Sequence, residues 1–144
     1  EVIHHSQFIS QLISEGKIKP EKNITEKITF HDACYIGRHQ GEYDAPRNVL
    51  QAVINNEENL VEMARTKDQS FCCGAGGGNM WYEINTGDRI NHERFKEAAD
   101  TNGSIVATAC NFCNIMMEDG LKVGGHDDTM KVKDISELVL DGLE

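Results

Sequence analysis

The sequence predicts an α/β fold, a parallel sheet of about four strands with helices on its faces. Three observations carry that expectation. Short β-branched and aromatic runs alternate with amphipathic stretches of helical length, the pattern of strands joined through crossover helices. Glycine and proline punctuate the boundaries between these stretches. The cysteines fall in three groups just beyond predicted strands, as expected if every crossover returns the chain to one rim of a sheet.

The elements follow in order. Val2, Ile3, Phe8, Ile9, Leu12 and Ile13 recur at helical spacing and stop at Gly16, a C-terminal breaker. A polar linker with Pro20 leads to Lys27-Ile28-Thr29-Phe30-His31, read as a buried strand, with Cys34 just past its end. From Ala45 to Ile54, with Pro46 suited to a first helical turn, Val49, Leu50, Val53 and Ile54 form an apolar face. Leu60-Val61-Glu62-Met63 is a weaker strand, followed by Cys72-Cys73 and the run Gly74-Ala75-Gly76-Gly77-Gly78. A helix is expected from Asp88 to Ala99, and Ser104–Ala109 is the clearest strand, with Cys110 and Cys113 immediately after it. Residues 111–121 read as a helix ended by Gly124-Gly125. A short strand near Met130–Val132 feeds a last helix carrying Ile135, Leu138, Val139 and Leu140, for which Asp134 offers an N-cap and Glu137 the residue three further on.

Composition narrows the function classes. At 144 residues and 39% hydrophobic, the chain is long enough for one domain with a real core, so a disulfide-stapled secreted framework is not needed, and five cysteines is an odd count for one. A reducing, cytoplasmic setting is expected. No apolar run reaches membrane-spanning length and no signal-peptide pattern opens the sequence, which begins at Glu1 directly before a helix-like segment, as expected for a stretch of a longer protein. A net charge of −10 provides no basic stripe for phosphates, so no nucleic-acid partner is expected.

The thiols are the chemical signal. Cys34, Cys72, Cys73, Cys110 and Cys113 are spaced C-x37-C-C-x36-C-x2-C, and in open α/β sheets ligands collect where such loops converge at the carboxyl ends of the strands. Cys110 and Cys113, three apart in a first helical turn, share a face, and the exposed N–H groups there favour thiolates. The glycines after Cys73 let backbone pass close to a cluster and offer N–H groups to its sulfurs, marking Gly74, Gly76 and Gly77 as cofactor-binding candidates. The glycine run lacks the G-K-[ST] ending of a phosphate loop and the acidic ribose ligand of a dinucleotide fingerprint. Three chemistries remain open. An iron–sulfur cluster absorbs five thiolates through several ligation points. Zinc takes four in a structural interaction domain and leaves one surplus. A metal-free dithiol oxidoreductase would use Cys110 and Cys113 alone.

Around these cysteines, His31-Asp32-Ala33-Cys34-Tyr35-Ile36-Gly37-Arg38, Tyr43-Asp44-Ala45-Pro46-Arg47, Phe71-Cys72-Cys73-Gly74-Ala75-Gly76-Gly77-Gly78 and Ala107-Thr108-Ala109-Cys110-Asn111-Phe112-Cys113 resemble the cysteine-rich CCG domain of the heterodisulfide reductase catalytic-subunit superfamily. The branch they are similar to holds the iron–sulfur oxidoreductases associated with electron-transfer flavoproteins and the iron–sulfur subunits of glycolate and lactate oxidation, and the resemblance runs from about His5 to Leu140. It implies a [4Fe–4S] cluster on the five cysteines, of the non-cubane kind in heterodisulfide reductases, with zinc as a substitute occupant. It further implies that residues 1–144 are one cysteine-rich domain, the second and C-terminal of two behind a module with two conventional clusters in a longer protein, with a flavoprotein or flavin dehydrogenase subunit as electron partner. Membrane contact would come only through other domains. Ala33 departs from the proline that commonly precedes the first cysteine, a change expected to alter loop stiffness more than ligation.

Neighbouring residues carry smaller expectations. Arg38, His39 and Arg47 would place positive or polar groups near Cys34, with Arg47 also suited to bridge Asp44; Met116-Met117 read as core; His31 reads as satisfying a strand end. Trp81 and Tyr82 read as a roof over the site or a docking surface, the roof being favoured. No residue is assigned a catalytic role.

Overall fold

The computed structural model describes residues 2–21, 24–82 and 86–143. Four strands, β1 (Ile28–Phe30), β2 (Leu60–Val61), β3 (Ile105–Thr108) and β4 (Lys131–Asp134), form one sheet in the order β2-β1-β3-β4, every pair parallel. Five helices, α1 (His5–Ser14), α2 (Asp44–Val53), α3 (Ile90–Asp100), α4 (Asn111–Val123) and α5 (Ile135–Leu143), cover its two faces. The expected fold class is the one observed.

Strand alternation divides the core. Ile28, Phe30, Ile105 and Ala107 point to one face and pack with Val49, Leu50 and Val53 of α2 and Ile135, Leu138 and Val139 of α5, while α1 lies across these helices. Val106 points the other way, among Phe95 and Ala98 of α3 and Met116, Met117 and Leu121 of α4. Both faces being covered, the strands read as nearly continuous apolar runs. Met116 and Met117 are core, as the sequence suggested.

The order of strands fixes where a ligand belongs. From β1 the chain steps outward to β2 through α2, then crosses back past β1 through α3 to reach β3, and α4 continues in that second direction to β4. The direction of winding therefore reverses between β1 and β3, the switch point at whose carboxyl end α/β sheets open a crevice.

Local signals explain most boundaries. His4 caps α1 in a reciprocal capping box, its ring accepting from Ser6 N–H at 3.2 Å while Gln7 reaches back to His4 N–H at 3.1 Å, so the helix begins at His5 and leaves Val2 and Ile3 outside. Asp134 Oδ1 accepts from Ser136 N–H at 2.9 Å and Glu137 reaches back to Asp134 N–H at 2.8 Å, the N-cap and capping box expected at α5. The second strand is shorter than its apolar run, because Glu62 turns away to pair with Arg47. At Gly120 the two helices of the second face come so close that a Cβ would lie 2.6 Å from Phe95 Cβ. Gly120→Ala is expected to push α3 from α4 and cost about 1–3 kcal/mol of stability, read as a lower urea midpoint at constant slope.

Candidate metal centre

All five cysteines lie just beyond the carboxyl ends of the strands, four in loops and Cys113 in the first turn of a helix. Cys34 follows β1 in a turn closed by Gly37 N–H to Ala33 O at 2.9 Å and His39 N–H to Cys34 O at 3.1 Å. Cys72 and Cys73 come in along the loop after β2. Cys110 is the N-cap of α4 and Cys113 stands in its first turn. None is in a disulfide. Cys73 and Cys113 are buried within the second core, while Cys34, Cys72 and Cys110 are half-buried.

The thiols meet in two adjoining hollows. One is lined by Cys34, Cys72, Cys73 and Cys113 together with His31 and Arg38. The other, of about 240 Å³, is lined by Cys34, Cys73, Cys110 and Cys113 together with Gly76, Gly77 and Trp81. Cys34, Cys73 and Cys113 border both. Cys113 Sγ lies 3.4 Å from Cys73 Sγ, with Cys72 beside this pair in the first hollow and Cys110 beside it in the second.

Their protonation alternates for physical reasons. Cys73 is held strongly toward thiolate by hydrogen bonds from Cys113 and Cys72, against its burial and with help from His31 and the Ala75 N–H. Cys110 is pulled down to about 6, first by its hydrogen bond with Cys113 and then by the backbone N–H groups of Cys113 and Phe112 at the start of α4, despite burial. Cys113 and Cys72 are pushed up: Cys113 by donating to Cys110 and Cys73, Cys72 by donating to Cys73, and both by burial. The helix start thus favours the thiolate at Cys110 but not at Cys113, which holds the proton its two neighbours share. A soft cation entering here replaces protons already being shared among sulfurs, and its binding releases them.

The glycine run divides. Gly76 and Gly77 border the larger hollow. Gly74 instead faces α3, where a Cβ would meet Ile90 Cβ at 3.1 Å, and its φ of +89° is one that L side chains rarely adopt. Its contribution to the thiols is through the backbone, Gly74 N–H donating to Cys72 Sγ at 3.3 Å. Gly74→Ala is expected to displace the Cys72-Cys73 turn, lowering both the unfolding midpoint and the bound metal per chain, the latter measured by elemental analysis.

Arg47 is structural. It forks onto Asp32 at 2.8 and 2.9 Å and onto Glu62 at 2.6 and 2.9 Å, with no bond to the Asp44 side chain, and so clamps the ends of β1 and β2 beneath the thiol loops. Arg38 donates to Ser70 O at 2.6 Å, tying the Cys34 loop to the segment just before Cys72. His39 rests against Tyr35. Trp81 and Tyr82 do not roof the site: Trp81, at the end of the turn Gly76–Trp81, edges the larger hollow yet is 78% exposed, and Tyr82, just after it, is 68% exposed and does not line the hollow.

Sequence reasoning missed the site roles of His31 and Arg94. The His31 ring, at the end of β1, comes with the Cys73 and Cys113 sulfurs into a group whose ligand atoms all lie within 4.8 Å of one another. Burial lowers its pKa. Its Nδ1 accepts from Arg94 Nε at 3.0 Å, and Arg94, from the middle of α3, is completely buried. The two are 63 positions apart, and only the aromatic tail of a strand marked the first of them.

Five thiols and an imidazole gathered at the switch point of a parallel sheet define a class, the thiolate-rich α/β domain whose donor set suits soft metal ions. The chain belongs to the cysteine-rich domain family, CCG, which matches residues 28–118. It is similar to the probable iron-sulfur-binding oxidoreductase FadF of Bacillus subtilis, 42% identical over 96% of this chain and 19% of that protein. It is also similar to the EtfAB:quinone oxidoreductase of Syntrophomonas wolfei, 39% identical over 100% of this chain and 21% of that protein. With a dihydromethanophenazine:CoB–CoM heterodisulfide reductase polypeptide of Methanosarcina barkeri it shares 42% identity over 99% of this chain and 34% of that protein. The chain therefore spans about a third or less of the length of these relatives.

Proposed function

We propose that this chain is an iron–sulfur electron-transfer domain of a heterodisulfide-reductase-like oxidoreductase, passing single electrons between a flavin or ferredoxin-type donor and a quinone, thiol or disulfide acceptor. The observation that carries the reading is the meeting of five thiols from three segments around two adjoining hollows. The residues fit a multi-iron cluster. The sulfurs already share protons in a chain, Cys73 and Cys110 favour thiolate, and the backbone of Gly76 and Gly77 borders the larger hollow. Cys34, Cys72, Cys73, Cys110 and Cys113 would hold a [4Fe–4S]-type cluster, the non-cubane form being the one that uses all five. Bound there, it supplies one-electron redox chemistry.

The chain's own residues supply the rest. Cys73 and Cys113 present sulfur from inside the second core, which limits water around them. The Arg47 clamp holds the loop ends in register, and Arg38 fixes the Cys34 loop against the segment leading to Cys72. The chain would be one cysteine-rich domain of a longer multi-cluster protein, in keeping with its covering only 19% to 34% of its relatives. Its partners would be further iron–sulfur modules and an electron-transfer flavoprotein or flavin dehydrogenase subunit. Among the described residues no helix is long and apolar enough to cross a membrane, so membrane contact would come through other segments at the cytoplasmic face.

The grouping of His31, Cys73 and Cys113 also suits mononuclear zinc, which defines the rival reading of a redox-silent interaction domain. Anaerobic purification at the full length the gene encodes, with iron and acid-labile sulfide quantitation, separates the two. Iron and sulfide in excess of one atom per cysteine-rich domain, with broad visible absorption bleached by dithionite, is the expected result. Colourless protein with stoichiometric zinc overturns it.

A further inference from the structure

Resting on the reading that these thiols hold an iron–sulfur cluster, we infer that Arg94 and His31 form a buried donor pair that directs an N–H at Cys73 Sγ and raises the cluster's reduction potential, and that His31 is not itself a metal ligand. The argument is one of donors and acceptors. A neutral imidazole carries one N–H and one lone pair, and a guanidinium carries donors only. The 3.0 Å contact between Arg94 Nε and His31 Nδ1 therefore has one direction: Arg94 donates, Nδ1 accepts, and the ring proton resides on Nε2. That leaves the Nε2 N–H for the Cys73 sulfur, which lies within 4.8 Å of a ring nitrogen and lines the same hollow.

A metal-bound histidine needs the opposite arrangement. Its metal-facing nitrogen must offer a lone pair while the far N–H donates to a carbonyl or carboxylate. Here the far nitrogen faces a donor that cannot accept. Nor is Arg94 free to turn away. It is 0% exposed, with Nη1 donating to Arg65 O at 2.9 Å and to Glu97, and Nη2 donating to Ser70 Oγ at 3.1 Å. Glu97 is in turn bonded by Arg65, so the guanidinium is held from three sides.

An N–H aimed at a ligand sulfur stabilises the more negative, reduced cluster more than the oxidised one, so removing it lowers the potential. His31 is thus a positioning and tuning residue. The test compares the anaerobic full-length protein with His31→Leu, which removes the donor, and His31→Gln, which keeps an N–H near the same place, by redox titration followed through electron paramagnetic resonance. At a fixed poise His31→Leu is expected to shift the ratio of reduced to oxidised cluster about tenfold toward oxidised, 59 mV for one electron, and His31→Gln to stay within about twofold of the parent. On the unsubstituted protein, pulsed resonance is expected to show a proton coupling that vanishes in D₂O and no directly bound nitrogen. A fully loaded His31→Leu protein with the parent's potential, or a nitrogen bound to iron in the parent, overturns the inference while leaving the cluster reading in place. Absence of iron and sulfide from the parent sinks both.

Discussion

Cys73→Ser is expected to reduce bound iron and sulfide at least about tenfold, more than any other single substitution at the site, since even supporting residues around metal centres alter affinity by 10- to 100-fold. Cys73 borders both hollows, lies 3.4 Å from Cys113 Sγ, and is the sulfur toward which Cys113, Cys72, His31 and Ala75 N–H all donate. A serine hydroxyl does not ionise under these conditions and is a hard ligand where a soft one is needed. Cys34 borders both hollows too, but it is half-buried, so Cys34→Ser is expected to retain more metal. Anaerobic iron and sulfide quantitation checks the order, with circular dichroism showing that the fold persists. A Cys73→Ser protein with the parent's iron content contradicts the arrangement.

Arg47→Met is expected to destabilise the domain by about 3–5 kcal/mol, the cost of leaving one member of a buried ion pair without its partner. Asp32 is 6% exposed and accepts from both Nη atoms of Arg47, from Thr66 Oγ1 at 3.0 Å and from Lys67 N–H at 2.7 Å. Burial pushes its carboxyl up, but these donors win and hold it below the ordinary carboxylate range. Asp32 and Glu62 in turn, against burial, hold Arg47 firmly charged. A depressed carboxylate stabilises the fold fully above its unfolded pKa, and that contribution fades as the pH falls through the folded value, so the intact clamp fails only in acid. Urea unfolding at neutral pH measures the loss, and Arg47→Met combined with Asp32→Leu is expected to recover part of it, because an apolar pair no longer strands a charge. A change under about 1 kcal/mol in the single variant would show that the clamp is not what holds β1 to β2.

How far the sequence speaks depends on the range of the interaction. The Asp134 and Glu137 cap, the α2 face of Val49, Leu50 and Val53, and the strand Ile105–Thr108 are local patterns, and each is found where the residues place it. The gathering of the cysteines followed from chain return, since parallel strands bring their following loops to one rim. The partner of Arg47 did not follow. Asp44 is nearer along the chain, yet Asp32 and Glu62 sit at the ends of neighbouring strands, and sheet order decides who meets. The pairing of His31 with Arg94 was illegible for the same reason, since no spacing rule connects a strand end to the middle of a helix 63 positions away. The exposure of Trp81 depends on a turn whose backbone passes through φ of 67° and 77° at Gly77 and Gly78, and residue type alone does not say which way such a turn throws its aromatic.

The strand order has a practical side. With the sulfur-bearing segments all on one rim, the connections at the opposite rim, such as Thr101–Ser104 and Gly124–Met130, carry none of the chemistry. A fluorophore, an affinity handle or an electrode linker attached there would sit at the opposite end of the strands from the thiols. Immobilised that way, the molecule would turn its redox-bearing end toward solution, which is the orientation that voltammetry through a dissolved mediator calls for.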